Sequence, residues 1–192
     1  MDAVFDFRKA PDEREQVAWR LVKPVFFVGF MGAGKTSAAR KLARRAGVAS
    51  IDMDMFIERR YDMKIREIFS NLGEEGFRLI ETDVLRELAT GDPLVVSCGG
   101  GVVLSEENRR IMRENGHVVY LKVTADEAAS RITNLKARPL FGDLDQVRHI
   151  ISERIPLYEE VADSTIDTAG HSSGYVAREA IGLLKRQGIL VR

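Results

Sequence analysis

A chain of 192 residues that is 45% hydrophobic is the right size for one globular domain with its own core. Lys plus Arg and Asp plus Glu stand at 29 each, so the net charge is zero and nothing in the composition supports a nucleic-acid binder, which usually carries a basic excess. Cys98 is the single cysteine, which excludes an internal disulfide and suits a reducing cytoplasm.

The segment Met1 to Arg20 is charged throughout and lacks the apolar run of a signal peptide. The longest apolar stretch, Val25 to Gly34, is too short to cross a bilayer and is broken by glycine. A cytoplasmic protein without membrane association is therefore expected. Residues 1–23 read as an N-terminal appendage. Pro11-Asp12-Glu13-Arg14-Glu15 can open a short helix with Val17 and Leu21 on one face, and the segment is expected to be a partly ordered terminus packed on the domain. Pro24 separates it from the first strand, so the main domain is taken as residues 24–192.

The chain is organised around Val25-Phe26-Phe27-Val28, which runs into Gly29-Phe30-Met31-Gly32-Ala33-Gly34-Lys35-Thr36-Ser37. Gly29, Gly34, Lys35 and Thr36 occupy the fixed positions of G-x-x-x-x-G-K-[ST]. Glycines let the backbone bend so that its N–H groups converge on an anion, and the following helix, Ala38 to Arg45, directs its positive end at the same point. Strand before and helix after make this a phosphate loop rather than a plain turn. Lys35 is expected on the β- and γ-phosphates of a nucleotide, and the Thr36 hydroxyl on Mg²⁺.

Beyond it, Gly47 is placed to stop the first helix. Ser50-Ile51-Asp52 reads as a second strand, leading into Asp52-Met53-Asp54. Helical patterns cover Met55 to Tyr61, Lys64 to Ser70 and Phe77 to Ala89, with Gly73-Glu74-Glu75-Gly76 expected to break the last two apart. Leu94-Val95-Val96-Ser97-Cys98 is the unbroken apolar run of a strand buried on both faces, and ends in Gly99-Gly100-Gly101. Ser105 is placed to cap a helix over Glu106 to Glu114. Val118 to Leu121 is a fourth strand, and Thr124-x-x-Glu127 a capping box. Arg138 to Asp143 reads as a loop. Leu144 to Ala162 is helical with a kink or break at Pro156, Ser164 to Asp167 is a fifth strand, and Tyr175 to Arg186 closes the chain as a helix. Five strands alternating with helices predict an α/β three-layer sandwich around a parallel sheet.

In such folds functional groups gather beyond the carboxyl ends of the strands. The phosphate loop, Asp52/Asp54 and the triple glycine all fall there. One aspartate can hold Mg²⁺ through its waters and the other orient or deprotonate an attacking hydroxyl. The same residue type also suits a helix N-cap, and spacing leaves both readings open. Gly99-Gly100-Gly101 serves either close approach to a ligand or a loop needing positive φ. Arg78, Arg138 and Arg154 are each a default surface charge, although the planar guanidinium is the natural partner of carboxylate and phosphate.

Taken together, Gly-Phe-Met-Gly-Ala-Gly-Lys-Thr at 29–36, Asp52-x-Asp54, Phe77-Arg78-x-x-Glu81, Gly99-Gly100-Gly101, Arg138-Pro139-Leu140 and Arg154-x-x-x-Tyr158 resemble the shikimate kinase family, within the nucleoside monophosphate kinase-like fold. The order and spacing match from about Pro24 to the C-terminus. The resemblance implies ATP-dependent phosphorylation of the 3-hydroxyl of shikimate in the aromatic amino acid route, by a monomeric enzyme of five-stranded P-loop architecture with a mobile lid at about 134–146. It implies that Asp54 binds the reactive hydroxyl and is the candidate base, with Lys35 and Arg138 as the other catalytic groups. It implies that Arg78 and Arg154 clamp the substrate carboxylate, that Glu81 holds the substrate arginine or a ring hydroxyl, and that Gly99, Gly100 and Gly101 contact substrate through the backbone. ATP falls to Gly32, Ala33, Gly34, Lys35, Thr36, Ser37, Arg131 on the adenine side and Arg138 in the lid. Thr36 and Asp52 fall to the metal, Mg²⁺.

Cys98 has no part in this chemistry and reads as structural. Two rivals stand beside the kinase reading. A gluconate kinase-like enzyme of the same fold has less use for Arg78, Arg154 and the triple glycine. A non-catalytic nucleotide-binding regulator would be expected to have lost Asp54 or a clamp arginine, and all are present.

Overall fold

A strand apolar at every position needs cover on both faces, because successive side chains point to opposite sides. Strand β2, Val25–Val28, meets that condition, with all four residues fully buried. Val25 and Phe27 enter one hydrophobic cluster, and Phe26 and Val28 enter the other. The structure, a computed structural model, describes residues 19–131 and 144–192. Most of the N-terminal appendage, most of the expected lid, Arg138 and the side chain of Arg131 lie outside the described residues.

Five parallel strands form the sheet in the order β3-β4-β2-β5-β6, with β3 Ser50–Asp52, β4 Val95–Ser97, β5 His117–Lys122 and β6 Ser164–Asp167. Helices α1 (Lys35–Ala46), α5 (Ala125–Arg131) and α7 (Ser173–Arg186) pack on one face. Helices α2 (Met53–Tyr61), α3 (Ile65–Thr90) and α4 (Glu106–Asn115) pack on the other. Helix α6, Leu144–Val161, serves both cores: Val147 and Ile151 join the first cluster, Tyr158 and Val161 the second. This is the three-layer arrangement expected. No helix among the described residues is long and apolar enough to cross a membrane.

Central β2 lies between β4 and β5, so the chain turns to one side of it for β3 and β4 and to the other for β5 and β6. Such a switch point opens a crevice beyond the carboxyl end of the central strand. Gly29 to Gly34 lies there.

The break expected between the two helical runs is present and falls at Gly73 alone, which leaves helical geometry inside α3 at φ 70° and ψ −177°. Arg78 therefore lies beyond the first turn after that kink. The kink has a use, because Phe69 and Phe77 stack with centroids 4.5 Å apart, whereas an unbroken helix would set them about 12 Å apart along its axis. Helix α6 continues through Pro156 without a break. At the capping box, the Glu127 N–H donates to Thr124 Oγ1 at 3.3 Å, but the Glu127 carboxylate turns away to accept from the Gly170 N–H at 2.7 Å. A further pair was not legible in the sequence: β1, Arg20–Leu21, runs antiparallel to β7, Leu190–Val191. Trp19 beside it lies under the Lys185 ammonium, 3.6 Å from the ring centroid.

Gly116, between α4 and β5, has room for no side chain. A Cβ there would meet the Phe26 ring edge and stand 2.9 Å from the Pro24 carbonyl oxygen. Gly116→Ala is expected to cost about 1–3 kcal/mol by overpacking, read as a lower urea midpoint with an unchanged slope.

His117 opens β5 with its imidazole buried, Nε2 3.1 Å from Ser164 Oγ and Nδ1 3.6 Å from Asp163 Oδ2. Burial holds its pKa below the ordinary value; Asp163 opposes this and Lys23 adds to it. The folded state therefore prefers the neutral ring, so the stability it contributes is present above the unfolded-state value near 6.5 and is lost as the pH falls below it. Unfolding free energy of the native chain should drop between pH 7 and pH 5.5, and His117→Gln should flatten that slope.

Candidate functional site

Helix α1 starts at Gly34, which has φ 85° and offers no side chain to cap the exposed N–H groups. Its first turn holds no acidic residue, whereas α2 to α6 each carry at least one there. An acidic first turn satisfies a helix's positive end; leaving it out keeps the α1 terminus open to an external anion. The loop is pressed against its neighbours: at Gly32, φ 79°, a Cβ would lie 2.8 Å from the Ala128 carbonyl oxygen. Lys35 is buried, and its Nζ donates to the carbonyls of Gly29 and Phe30 at 2.8 and 3.0 Å. The ammonium is thereby held within the loop that is shaped for phosphate.

Asp52 fills both roles that its spacing left open. Its Oδ1 accepts from the Met55 N–H at 3.1 Å and caps α2. Its Oδ2 accepts from Thr36 Oγ1 at 2.6 Å. Ser97 Oγ, at the end of β4, lies 3.1 Å from the same threonine oxygen. Ser97 is a site residue the sequence reading passed over; its signal was a buried hydroxyl in an otherwise apolar strand. Thr36, Asp52 and Ser97 thus bring three hard oxygen donors together beside the loop.

Asp54 lies in the first turn of α2 and is exposed. None of Gly99, Gly100 and Gly101 has positive φ. Gly99 and Gly101 answer to close approach instead, whereas a Cβ on Gly100 would make only ordinary contacts. A Cβ on Gly99 would lie 2.8 Å from Asp54 Oδ1 and 3.2 Å from Glu81 Oε1. A Cβ on Gly101 would lie 2.6 and 2.8 Å from the two terminal nitrogens of Arg78. Two carboxylates and a guanidinium therefore press on the backbone after β4. Arg78 donates to Glu81 Oε2 at 2.6 Å and to Glu74 Oε1 at 3.1 Å, which fixes the plane of its fork. Glu81 is buried; burial raises its carboxyl above the usual range, Arg78 draws it back, and Asp54 and Glu74 push it further up.

Residues of α6 complete the surround. The Tyr158 hydroxyl donates to the Gly100 carbonyl, and its ring stacks on Tyr120 with centroids 5.1 Å apart. One turn earlier, the Arg154 guanidinium lies 5.8 Å from the centre of the Phe30 ring, in the phosphate loop. The i, i+4 spacing of Arg154 and Tyr158 puts them on one helix face, and the fold aims that face at both loops. Cys98 is buried, and its thiol is pushed well above the ordinary range by burial, which makes it inert.

On the other side of the loop, Gly32, Ala33, Gly34 and Ser37 share a cavity of about 200 Å³ with Thr168, His171, Ser173 and Val176. The last four were not singled out from the sequence. Their signal was position, since Thr168 follows directly on β6 at the same carboxyl edge as the other site segments.

Where they are described, Thr36 with Asp52 lies beside the phosphate loop, Asp54, Arg78 and Glu81 lie against Gly99 and Gly101, and Arg154 lies over Phe30 of the phosphate loop. A family model described as shikimate kinase matches residues 31–185. The chain belongs to the shikimate kinase family. It is 43% identical over 148 residues to a shikimate kinase of Bordetella avium (strain 197N), which spans 76% of this chain and 71% of that relative. A solved shikimate kinase from Acinetobacter baumannii, in complex with shikimate, superposes with a TM-score of 0.81 at 36% identity, over 86% of this chain and 94% of that one. A gluconokinase from Sinorhizobium meliloti shares the fold alone, at TM-score 0.55 and 18% identity over 88% of this chain and 94% of that one. Like its family, the chain is an ATP-dependent kinase.

Gly101→Ala tests the close approach. The far end of Arg78 is the part that must yield, so the melting temperature should move little. A site group displaced by about an ångström can nevertheless cost on the order of a hundredfold in rate. Kinase turnover is expected to fall by about that factor.

Proposed function

We propose that this protein transfers the γ-phosphoryl group of ATP to the 3-hydroxyl of shikimate, giving ADP and shikimate 3-phosphate. The arrangement of Asp54, Glu81 and Arg78 against Gly99 and Gly101 carries the reading. It offers one exposed carboxylate for a hydroxyl and one oriented guanidinium for a carboxylate, beside a phosphate loop. Gluconate presents its carboxylate on a flexible polyol chain; a rigid ring suits the fixed separation of base and cation better.

In the reaction the O3 oxygen attacks Pγ as the bond from Pγ to the β–γ bridging oxygen breaks, and the hydroxyl proton passes to the Asp54 carboxylate. Arg78, held by Glu81 and Glu74, receives one side of the shikimate carboxylate and Arg154 the other. The backbone of Gly99 to Gly101 borders the ring. Backbone N–H groups of the loop and α1, together with Lys35, hold the β- and γ-phosphates, and Gly32 to Ser37 line the way to the cavity in which the nucleoside sits. Arg131 on the adenine side and Arg138 in a lid at about 134–146 complete the ATP site in this reading, and lid closure keeps water from Pγ.

Thr36, Asp52 and Ser97 fit Mg²⁺, which takes one or two protein oxygens and keeps waters and substrate phosphates as its other ligands. No group of three or more His, Cys, Asp or Glu side chains among the described residues would build an all-protein cage instead. Mg²⁺ would supply charge neutralisation at the phosphates. The reading is that of a cytoplasmic monomer working on small molecules, supported by the balanced charge and by the family.

A coupled assay of ADP release with Mg²⁺-ATP should show turnover with shikimate and none with gluconate. Turnover with gluconate instead would discard the clamp; ATP binding without turnover on either would favour the regulator. Asp54→Asn should lower kcat by about 10²- to 10⁴-fold with ATP binding retained. Near-normal turnover in that variant would remove Asp54 as the base. Arg78→Ala should raise the shikimate KM by about ten- to a hundredfold, the worth of a charge-assisted hydrogen bond, and leave the ATP KM in place.

A further inference from the structure

The loop from β6 to α7, with the first turn of α7, forms one wall of the cavity beside the phosphate loop, and it is held from several sides. Thr168 Oγ1 donates to the Lys122 carbonyl at 2.9 Å, and the Gly170 N–H donates to Glu127 Oε1 at 2.7 Å. The remaining ties come from α1 itself. Lys41 Nζ donates to Ser173 Oγ at 2.7 Å, and Arg45 Nη1 donates to the Gly174 carbonyl at 2.8 Å. Lys41 and Arg45 lie one turn apart on the same face of the helix whose N-terminus makes the phosphate site. Ser173 is a cavity-lining residue, whereas Lys41 and Arg45 are not.

We propose that Lys41, supported by Arg45, is a positioning residue for the nucleoside half of the nucleotide. It fixes the wall at Ser173 at a set distance from the phosphates gripped by the same helix. This rests on the reading of the cavity as the nucleoside end of an ATP site. The physical case is registration. A phosphate chain and a base joined covalently bind well only if their two subsites keep one spacing. Helix α1 is a rigid element that touches both: its first turn lines the cavity through Ser37, and its second and third turns tether the opposite wall. The Lys41–Ser173 bond is half-buried and joins a cation to a hydroxyl, so it is stronger than a neutral pair. The Arg45 bond is exposed and weaker, so Lys41 is the main tether.

Calorimetric binding of ADP and of inorganic tripolyphosphate separates this role from a general charge effect. Tripolyphosphate probes the phosphate loop without a nucleoside. In Lys41→Met, ADP affinity should fall about five- to tenfold while tripolyphosphate affinity holds within twofold. In the kinase assay, the ATP KM should rise with no change in the shikimate KM. Lys41→Arg should restore most of the loss. Ser173→Ala removes the same bond from the other side, and adding it to Lys41→Met should cause little further loss; it also stands in if Lys41→Met does not fold. Equal weakening of ADP and tripolyphosphate would make Lys41 a simple phosphate-field charge and overturn the proposal, as would unchanged ADP affinity in both Lys41→Met and Ser173→Ala. Failure of the unsubstituted chain to bind ADP would instead overturn the ATP reading of the cavity.

Discussion

Burial of the four-residue strand Val25–Val28 on both faces is the constraint on which the rest depends. Its alternate side chains seed two separate cores, so helices must cover both sides of the sheet. Its central place makes it the point at which the sheet order reverses, with β4 on one side and β5 on the other. The glycine-rich turn that follows therefore emerges into a crevice rather than onto an edge. Moving that strand to an outer position would leave the phosphate loop with no second wall, because Asp52, Ser97 and Gly99 to Gly101 reach it only from β3 and β4 next door.

The acceptor side of the site rests on a different economy. Two of the three glycines without positive φ, Gly99 and Gly101, are there because charged groups occupy the volume their side chains would take. Asp54 comes from α2, Arg78 and Glu81 come from α3, and all three meet the loop that follows β4. Glu81 is the most constrained of them. It is buried with its carboxyl above the usual range, and its partner Arg78 is the reason burial is tolerable. Glu74, directly after the Gly73 kink and one turn before Arg78, holds the other arm of the same guanidinium. A helix that bends at one residue thus lets Phe69 stack on Phe77 while the turns after the bend deliver the fork to the site.

Helix α1 connects the halves. Its first turn is kept free of carboxylates for an anion, Thr36 in that turn meets Asp52 and Ser97, and its outer face grips the start of α7. Helix α6 plays the matching part over the other loop, with Tyr158 on the Gly100 carbonyl and Arg154 over Phe30. The phosphate loop, the loop after β4 and the start of α7 are each tied to a rigid element rather than left to loops alone.

By itself the sequence determined the order of the five sheet strands and their helices, the phosphate loop, the cap at Ser105, and the family, because each is written in residues close together in the chain. Its family-wide pattern also named Asp54, Arg78, Glu81 and Arg154. What it left undecided was settled by contacts between distant residues. That Asp52 both caps α2 and receives Thr36, sixteen positions away, needed the β2–β4–β3 order. The reason for the triple glycine, the β1–β7 pair, and the tie from Lys41 to Ser173, 132 positions apart, likewise exist only once the sheet is assembled. Local spacing encodes periodicity and caps, but which loops share a wall is fixed by sheet topology, and no short stretch of residues carries that information.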